Sequence, residues 1–176
     1  MPNFIECDER LLMRAIDWRE DTVVMFGRSI KVPRLCAWYG DPGVEYRYSN
    51  VVHRADGWPA EIAILRDRIH QLVGARFNFV LANLYRDGHD AIGWHSDDER
   101  DLGPQPCIAS LSFGASRPFR IRSRDGRRRV ELLMEHGSLL LMFGTSQKKW
   151  QHSLPRIRTD VGPRINLTFR DVRVNA

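Results

Sequence analysis

The chain has 176 residues, 43% hydrophobic and 28% charged, with a net charge of +5, which is the size and balance of one globular domain with a buried core. No apolar run approaches the roughly 20 residues needed to cross a bilayer, and the first residues lack the basic-then-apolar order of a secretion signal. Cys7, Cys36 and Cys107 are odd in number and far apart, so neither a disulfide framework nor a zinc ribbon is implied, and a reducing compartment (cytoplasm, or nucleus in a eukaryote) with no membrane is expected.

In chain order, Asp8 to Ile16 reads as a short amphipathic helix with Leu11, Leu12, Ala15 and Ile16 inward. Val23 to Arg34 alternates loosely around Phe26-Gly27 and predicts a hairpin ended by Pro33. Pro59 suits a first helical turn, and Ile62, Leu65, Ile69, Leu72 and Val73 keep helical spacing up to a stop at Gly74. Strands then dominate: Phe77–Tyr85, Ile108–Phe113, Phe119–Arg122, Arg129–Leu133, Leu139–Phe143 and Arg164–Arg170, with a turn at Asp125-Gly126. The expected fold is α+β but mainly β, a jelly-roll type double sheet over one domain spanning residues 1–176.

The last of these strands carries the most information. In Arg164-Ile-Asn-Leu-Thr-Phe-Arg170, period-two alternation puts Ile165, Leu167 and Phe169 on one face and Arg164, Asn166, Thr168 and Arg170 on the other. Two guanidiniums on a sheltered face need anions, and a small dicarboxylate between them would satisfy both; a solvated basic face is the alternative. His95-Ser-Asp97 places an imidazole and a carboxylate two residues apart, and His152 follows downstream. Two histidines and one carboxylate make the facial triad of non-haem Fe(II) oxygenases, with positions left open for cosubstrate and O2. Three unrelated surface or core residues are the alternative. Asn83 and Tyr85, two apart on one strand, share a face.

The positive charge is clustered. Arg117, Arg120, Arg122, Arg124, Arg127, Arg128 and Arg129 surround the Asp125-Gly126 turn, and Lys148, Lys149, Arg156 and Arg158 flank His152. Such patches fit nucleic acid through phosphate neutralisation, or else a generic basic surface.

At this point the residues resemble a known family. His95-x-Asp97, His152 and Arg164-x-Asn-x-Thr-x-Arg170, with Asn83-Leu84-Tyr85, Ile92-Gly93-Trp94-His95 and Ser110-Leu-Ser-Phe-Gly114, look like the iron- and 2-oxoglutarate-dependent AlkB family of nucleic-acid dealkylases. The resemblance runs from about Met25 to Arg170 and is nearest to the branch that repairs double-stranded DNA.

What the resemblance implies is specific. The fold would be a double-stranded β-helix (about 77–172) with flanking N-terminal helices and nucleotide-recognition hairpins (about 20–56) forming a lid. His95, Asp97 and His152 would bind Fe(II). Arg164, with Tyr85 and Thr168, would hold the far carboxylate of 2-oxoglutarate; Arg170, with Asn83 and Asn166 nearby, would serve the metal end and orient Asp97. On the substrate side, Phe26-Gly27 would be an apolar wedge at a hairpin tip, the alternative being that Phe26 folds into the core. Arg28 and Arg34 would contact phosphates, and Tyr46, Tyr48 and Ser49 would form the lid, with Tyr48 stacking on a flipped base opposite His95. Trp94 would lie on the same side, and Asp98 and Glu99 would accept from an exocyclic amino group or form a solvated acidic turn. The implied reaction uses Fe(II), 2-oxoglutarate and O2 to demethylate 1-methyladenine- or 3-methylcytosine-type bases in DNA, releasing formaldehyde. A monomer acting on methylated DNA, duplex or single-stranded, is expected; an oxygenase of RNA and a non-catalytic nucleic-acid-binding module are the rivals.

Overall fold

The computed structural model describes residue 1 and residues 4–5, 7–25, 28–48 and 51–173. Among these, there are twelve strands and three α-helices, numbered in chain order, and ten of the strands build two antiparallel sheets that face each other. The larger sheet has six strands in the order β1-β2-β5-β12-β7-β10, formed by β1 (Arg19–Met25), β2 (Arg28–Gly40), β5 (Phe79–Tyr85), β12 (Arg164–Arg170), β7 (Ile108–Gly114) and β10 (Ser138–Met142). The smaller has the order β6-β11-β8-β9, from β6 (Ile92–His95), β11 (Trp150–Leu154), β8 (Arg117–Ser123) and β9 (Arg129–Met134). A separate hairpin pairs β3 (Glu45–Tyr48) with β4 (Val51–Arg54). This is the expected jelly roll.

Alternation along β12 sets the layers. Ile165, Leu167 and Phe169 pack with Val80, Ala82, Leu84, Ala109, Leu111 and Phe113 beneath Leu12, Ile62, Leu65 and Ile69 of the helices. Those helices, α1 (Glu9–Ala15) and α2 (Ala60–Val73), therefore cover the outer face of the larger sheet. Helix α1 begins at Asp8, whose carboxylate accepts the Arg10 backbone N–H at 2.9 Å. Helix α2 is bracketed as its sequence suggests. Pro59 caps its start, and Gly74 takes φ 70° at its end, returning its N–H to the His70 carbonyl.

The inner face of β12 points at the smaller sheet. Between the sheets, Tyr85, Phe119, Met134 and Leu154 form a small apolar cluster. It fills only part of the space, and the remainder is a polar cleft.

Two local expectations are corrected. Pro33 does not end its strand: β2 runs on to Gly40, because the β1–β2 register shifts between Glu20 and Thr22 and Pro33 sits opposite that irregularity. There no ladder N–H is required of it. Arg117, counted from sequence in the basic patch, is wholly buried and donates to the Asp87, Asp90 and Pro155 carbonyls. It ties the loop after β5 to the end of β11.

Candidate active site

The cleft is walled by alternate residues of adjacent strands. In-register pairing sets Asn166 of β12 between Asn83 of β5 and Ser112 of β7, and Arg164 between Tyr85 and Gly114. On the opposite sheet His152 of β11 pairs with His95 of β6 and with Ile121 of β8. Asp97 lies two residues past the end of β6, so the three sequence-predicted ligands converge without any long loop to position them.

The convergence is tight. One ligating atom from each of His95, Asp97 and His152 lies within 4.8 Å of the others. His95 Nε2 is 3.7 Å and His152 Nε2 4.0 Å from Asp97 Oδ1. The other His95 nitrogen, Nδ1, meets the Gly93 carbonyl at 2.8 Å, an arrangement that places the proton on Nδ1 and leaves the Nε2 lone pair toward Asp97. Asp97 is 1% exposed, and its two oxygens differ. Oδ2 accepts from Arg170 Nη2 at 2.8 Å, whereas Oδ1, facing the imidazoles, is buried without a hydrogen-bond partner. Burial opposes the Asp97 charge, but Arg170 and the two imidazoles outweigh it and hold the carboxyl well below the usual carboxylate range. Burial, with His95 alongside, brings His152 down to about 4, so its imidazole is neutral at physiological pH.

A second feature lies at the Arg164 end of the wall. Arg164 is 2% exposed; its Nη2 donates to Ser112 Oγ at 2.9 Å, it stacks 5.3 Å from the Tyr85 ring, and its Nε has no partner. No carboxylate pairs with it among the described residues, and burial pulls its guanidinium down to about 10. Arg170, by contrast, has Asp97. The cleft therefore offers a neutralised arginine beside the three ligating atoms and an uncompensated one farther along the same strand. Such an arrangement suits a small anion held at Arg164 and reaching toward the three candidate ligating atoms.

A family pattern described as the 2OG-Fe(II) oxygenase superfamily matches residues 6–170. The chain belongs to that superfamily. Among curated relatives, the chain is 44% identical to the mouse protein named DNA oxidative demethylase ALKBH2, over 85% of this chain and 66% of that one. It is 38% identical to bovine alpha-ketoglutarate-dependent dioxygenase alkB homolog 3, over 97% and 64%. The chain thus spans just under two thirds of the length of these relatives. The solved structure of OsALKBH1 superposes with a TM-score of 0.72 at 15% identity, covering 97% of this chain and 96% of that one, a likeness of fold. The resemblance to the AlkB family holds, and the superfamily's Fe(II), 2-oxoglutarate and O2 come with it. The residues present fit them: an orphaned carboxylate oxygen beside two imidazoles suits a divalent cation, and the uncompensated Arg164 suits a carboxylate.

The other expected residues divide. Tyr85 and Asn83 line the cleft with Thr168 and Tyr48. Asn166 lines it too, but its amide is engaged by the wall: Nδ2 donates to Ser110 Oγ and the Leu111 carbonyl, and Oδ1 accepts from Thr168. Tyr46, expected in the lid, is fully buried; its ring lies under Arg170 and its hydroxyl donates to Glu99 at 2.9 Å. Arg34, expected on phosphate, is 3% exposed and donates to Asn83 Oδ1 at 2.6 Å, so it is a wall residue rather than a surface contact. Asp98 is exposed but paired with Arg124. Glu99 is half-buried, with its carboxyl raised by burial and by Asp97. Trp94 is exposed, with Arg122 stacked 4.2 Å over its ring. Phe26, Gly27 and Ser49 lie outside the described residues, as does the side chain of Arg28.

Sequence reasoning missed Gln147, a buried residue on the short helix α3 (Ser146–Lys149), whose Oε1 accepts the Asp97 backbone N–H at 2.9 Å. No periodicity or motif marks it. The role of Ser112 was legible in principle, since it lies two residues beyond Ser110 on one strand face.

Proposed function

We propose that the protein is an Fe(II)- and 2-oxoglutarate-dependent dioxygenase that removes methyl groups from nitrogen atoms of DNA bases, of the 1-methyladenine and 3-methylcytosine type, releasing formaldehyde. One observation carries this reading: a single buried cleft holds an orphaned Asp97 oxygen faced by two imidazoles and, along the same strand as its Arg170 partner, an arginine with no counter-ion among the described residues. The name of the relative at 44% identity supports the choice of DNA and of demethylation, and that of the relative at 38% supports the dependence on 2-oxoglutarate.

His95 Nε2, Asp97 Oδ1 and His152 Nε2 would hold the iron from one side. When bound, the iron with 2-oxoglutarate and O2 supplies the oxidation of a C–H bond of the N-methyl group; the resulting hydroxymethyl amine loses formaldehyde and restores the base. The protein's own contributions are binding and orientation. Arg164, steadied by Ser112 and Tyr85, takes the far carboxylate of 2-oxoglutarate. Arg170 keeps Asp97 ionised and fixes which of its oxygens faces the metal, while Gln147 fixes the Asp97 backbone. Tyr48, which lines the cleft, would cover a base drawn into it. Outside, Arg120, Arg124, Arg127, Arg128 and Arg129 are exposed on the β8–β9 hairpin, and the Arg124 N–H joins that hairpin to Lys149. This surface suits a phosphate backbone. Extraction of a base costs a few kcal/mol and less once methylation has broken its pairing, which favours damaged bases over intact ones.

The test is formaldehyde release from methylated single-stranded DNA, duplex DNA and RNA, assayed side by side with wild-type protein and His95→Ala. Release from DNA that His95→Ala abolishes is the expected result. Release from RNA alone would replace the substrate. Nucleic-acid binding with no release, unaltered in His95→Ala, would make the protein a binding module.

A further inference from the structure

Arg34 is a strongly buried cation of the cleft region that the chemistry above leaves unused. It comes from β2, at the far side of β5 from β12, and is 3% exposed. Its Nε donates to Asn83 Oδ1 at 2.6 Å, and the Cys36 thiol reaches the same oxygen at 3.6 Å. The guanidinium also faces the Tyr85 and Tyr48 phenols, and no carboxylate pairs with it among the described residues. Two donors on one amide oxygen leave Asn83 a single orientation. A guanidinium has no lone pair to accept from an amide N–H, so a flipped Asn83 would set two donors against each other.

The consequence falls on the cleft. With Oδ1 turned to Arg34, Asn83 Nδ2 is the end that looks away, and no protein acceptor holds it among the described residues, unlike Asn166 Nδ2, which the wall engages. We propose that Arg34 is a positioning residue, which by gripping Asn83 Oδ1 aims the Asn83 amide donors into the cleft as a preset contact for the cosubstrate's oxygens. Arg34 thus acts on 2-oxoglutarate through Asn83 rather than on nucleic acid. The inference rests on the dioxygenase reading, and its test separates the two.

The experiment is calorimetric titration of 2-oxoglutarate into protein loaded with Mn(II), a metal that binds without turnover, at fixed salt. Wild type, Arg34→Met, Arg34→Gln, Asn83→Ala and Arg34→Met/Asn83→Ala are compared, with thermal unfolding of each. Removal of one oriented hydrogen bond to the cosubstrate predicts dissociation constants raised about tenfold in Arg34→Met and in Asn83→Ala. The double variant should be no weaker than Asn83→Ala alone, because both changes remove the same hydrogen bond. Arg34→Gln keeps a donor for Asn83 and should recover part of the affinity, which separates orientation from a general loosening of the fold. Additive effects in the double variant would overturn the proposal. So would unchanged 2-oxoglutarate affinity in Arg34→Met, or a weakened, less salt-dependent DNA affinity as its only effect. Absence of 2-oxoglutarate binding by the wild type would instead remove the dioxygenase reading.

Discussion

Replacing Arg170 by Met should destabilise the metal-free protein much more than the metal-loaded one. Arg170 and Asp97 are 3% and 1% exposed, with Nη2 and Oδ2 2.8 Å apart. Removing one partner of such a pair leaves a buried charge uncompensated, at a cost of about 3–5 kcal/mol. Met fills much of the vacated volume, so packing contributes little of this. A divalent cation bound at Asp97 Oδ1 would take over the compensation that Arg170 provided. It would also escape the repulsion of the guanidinium. The stabilisation gained on adding saturating Mn(II) should therefore be larger in Arg170→Met than in wild type, read as the difference between urea unfolding free energies with and without metal near neutral pH. The Asp97 carboxyl, freed from Arg170, should also titrate at higher pH, so that metal affinity falls off sooner on acidification. Equal destabilisation with and without metal would refute the reasoning, since Asp97 would then not be a ligand.

Arg164→Ala should raise the apparent KM for 2-oxoglutarate about 10- to 100-fold through the loss of a charge-assisted hydrogen bond worth about 1.5–3 kcal/mol, with a smaller change in kcat; an unchanged cosubstrate titration would return that arginine to a structural role. Arg127→Ala and Arg128→Ala, both on the exposed turn of the β8–β9 hairpin, should weaken DNA binding and reduce the slope of log affinity against log salt by about one unit for each phosphate no longer neutralised, measured by fluorescence anisotropy over a salt series. His53 is 2% exposed with neither ring nitrogen hydrogen-bonded, and burial lowers its pKa below the ordinary histidine value. The unfolded chain therefore binds the proton first, and this residue erodes stability as pH falls below about 6.5. His53→Phe should flatten that part of the stability curve in urea unfolding at several pH values, and an unaltered curve would place the acid sensitivity elsewhere.

The parts of the site that could be read from sequence are those that strand periodicity and ligand spacing encode locally. Arg164, Asn166, Thr168 and Arg170 share a face because a strand alternates, and His95 and Asp97 stay close because two residues separate them. Helix α2 announced itself through Pro59, its apolar spacing and Gly74. What escaped was set by partners distant in sequence. Arg117 read as surface charge because composition counts guanidiniums without knowing which carbonyls will surround them, and it finds carbonyls from before and after β8; Arg34, expected on phosphate, finds the Asn83 amide instead. Tyr46, expected in the lid, sits on the β3–β4 hairpin, and nothing in the sequence foretold that its hydroxyl would meet Glu99 and its ring Arg170. Strands β6 and β11 are short and carry mixed polar residues, so no alternation reveals them, although they bear two of the three candidate ligands.

Strand β12 lies between β5 and β7, pairing with each over nearly its whole length. Its seven residues, all buried, are sorted by parity alone: odd positions face the helices, even positions the cleft. A shift by a single residue would press two guanidiniums, an amide and a hydroxyl against Ile62 and Leu65 and turn Ile165, Leu167 and Phe169 toward the metal ligands. No partially working intermediate lies between those arrangements. A one-residue insertion in β12 should abolish folding and chemistry together, while the same insertion at the Asp125-Gly126 turn, where a side chain at Gly126 would meet nothing within 4 Å of its Cβ, should be tolerated. A chain that paired this strand wrongly would therefore lack the cleft as well as the core.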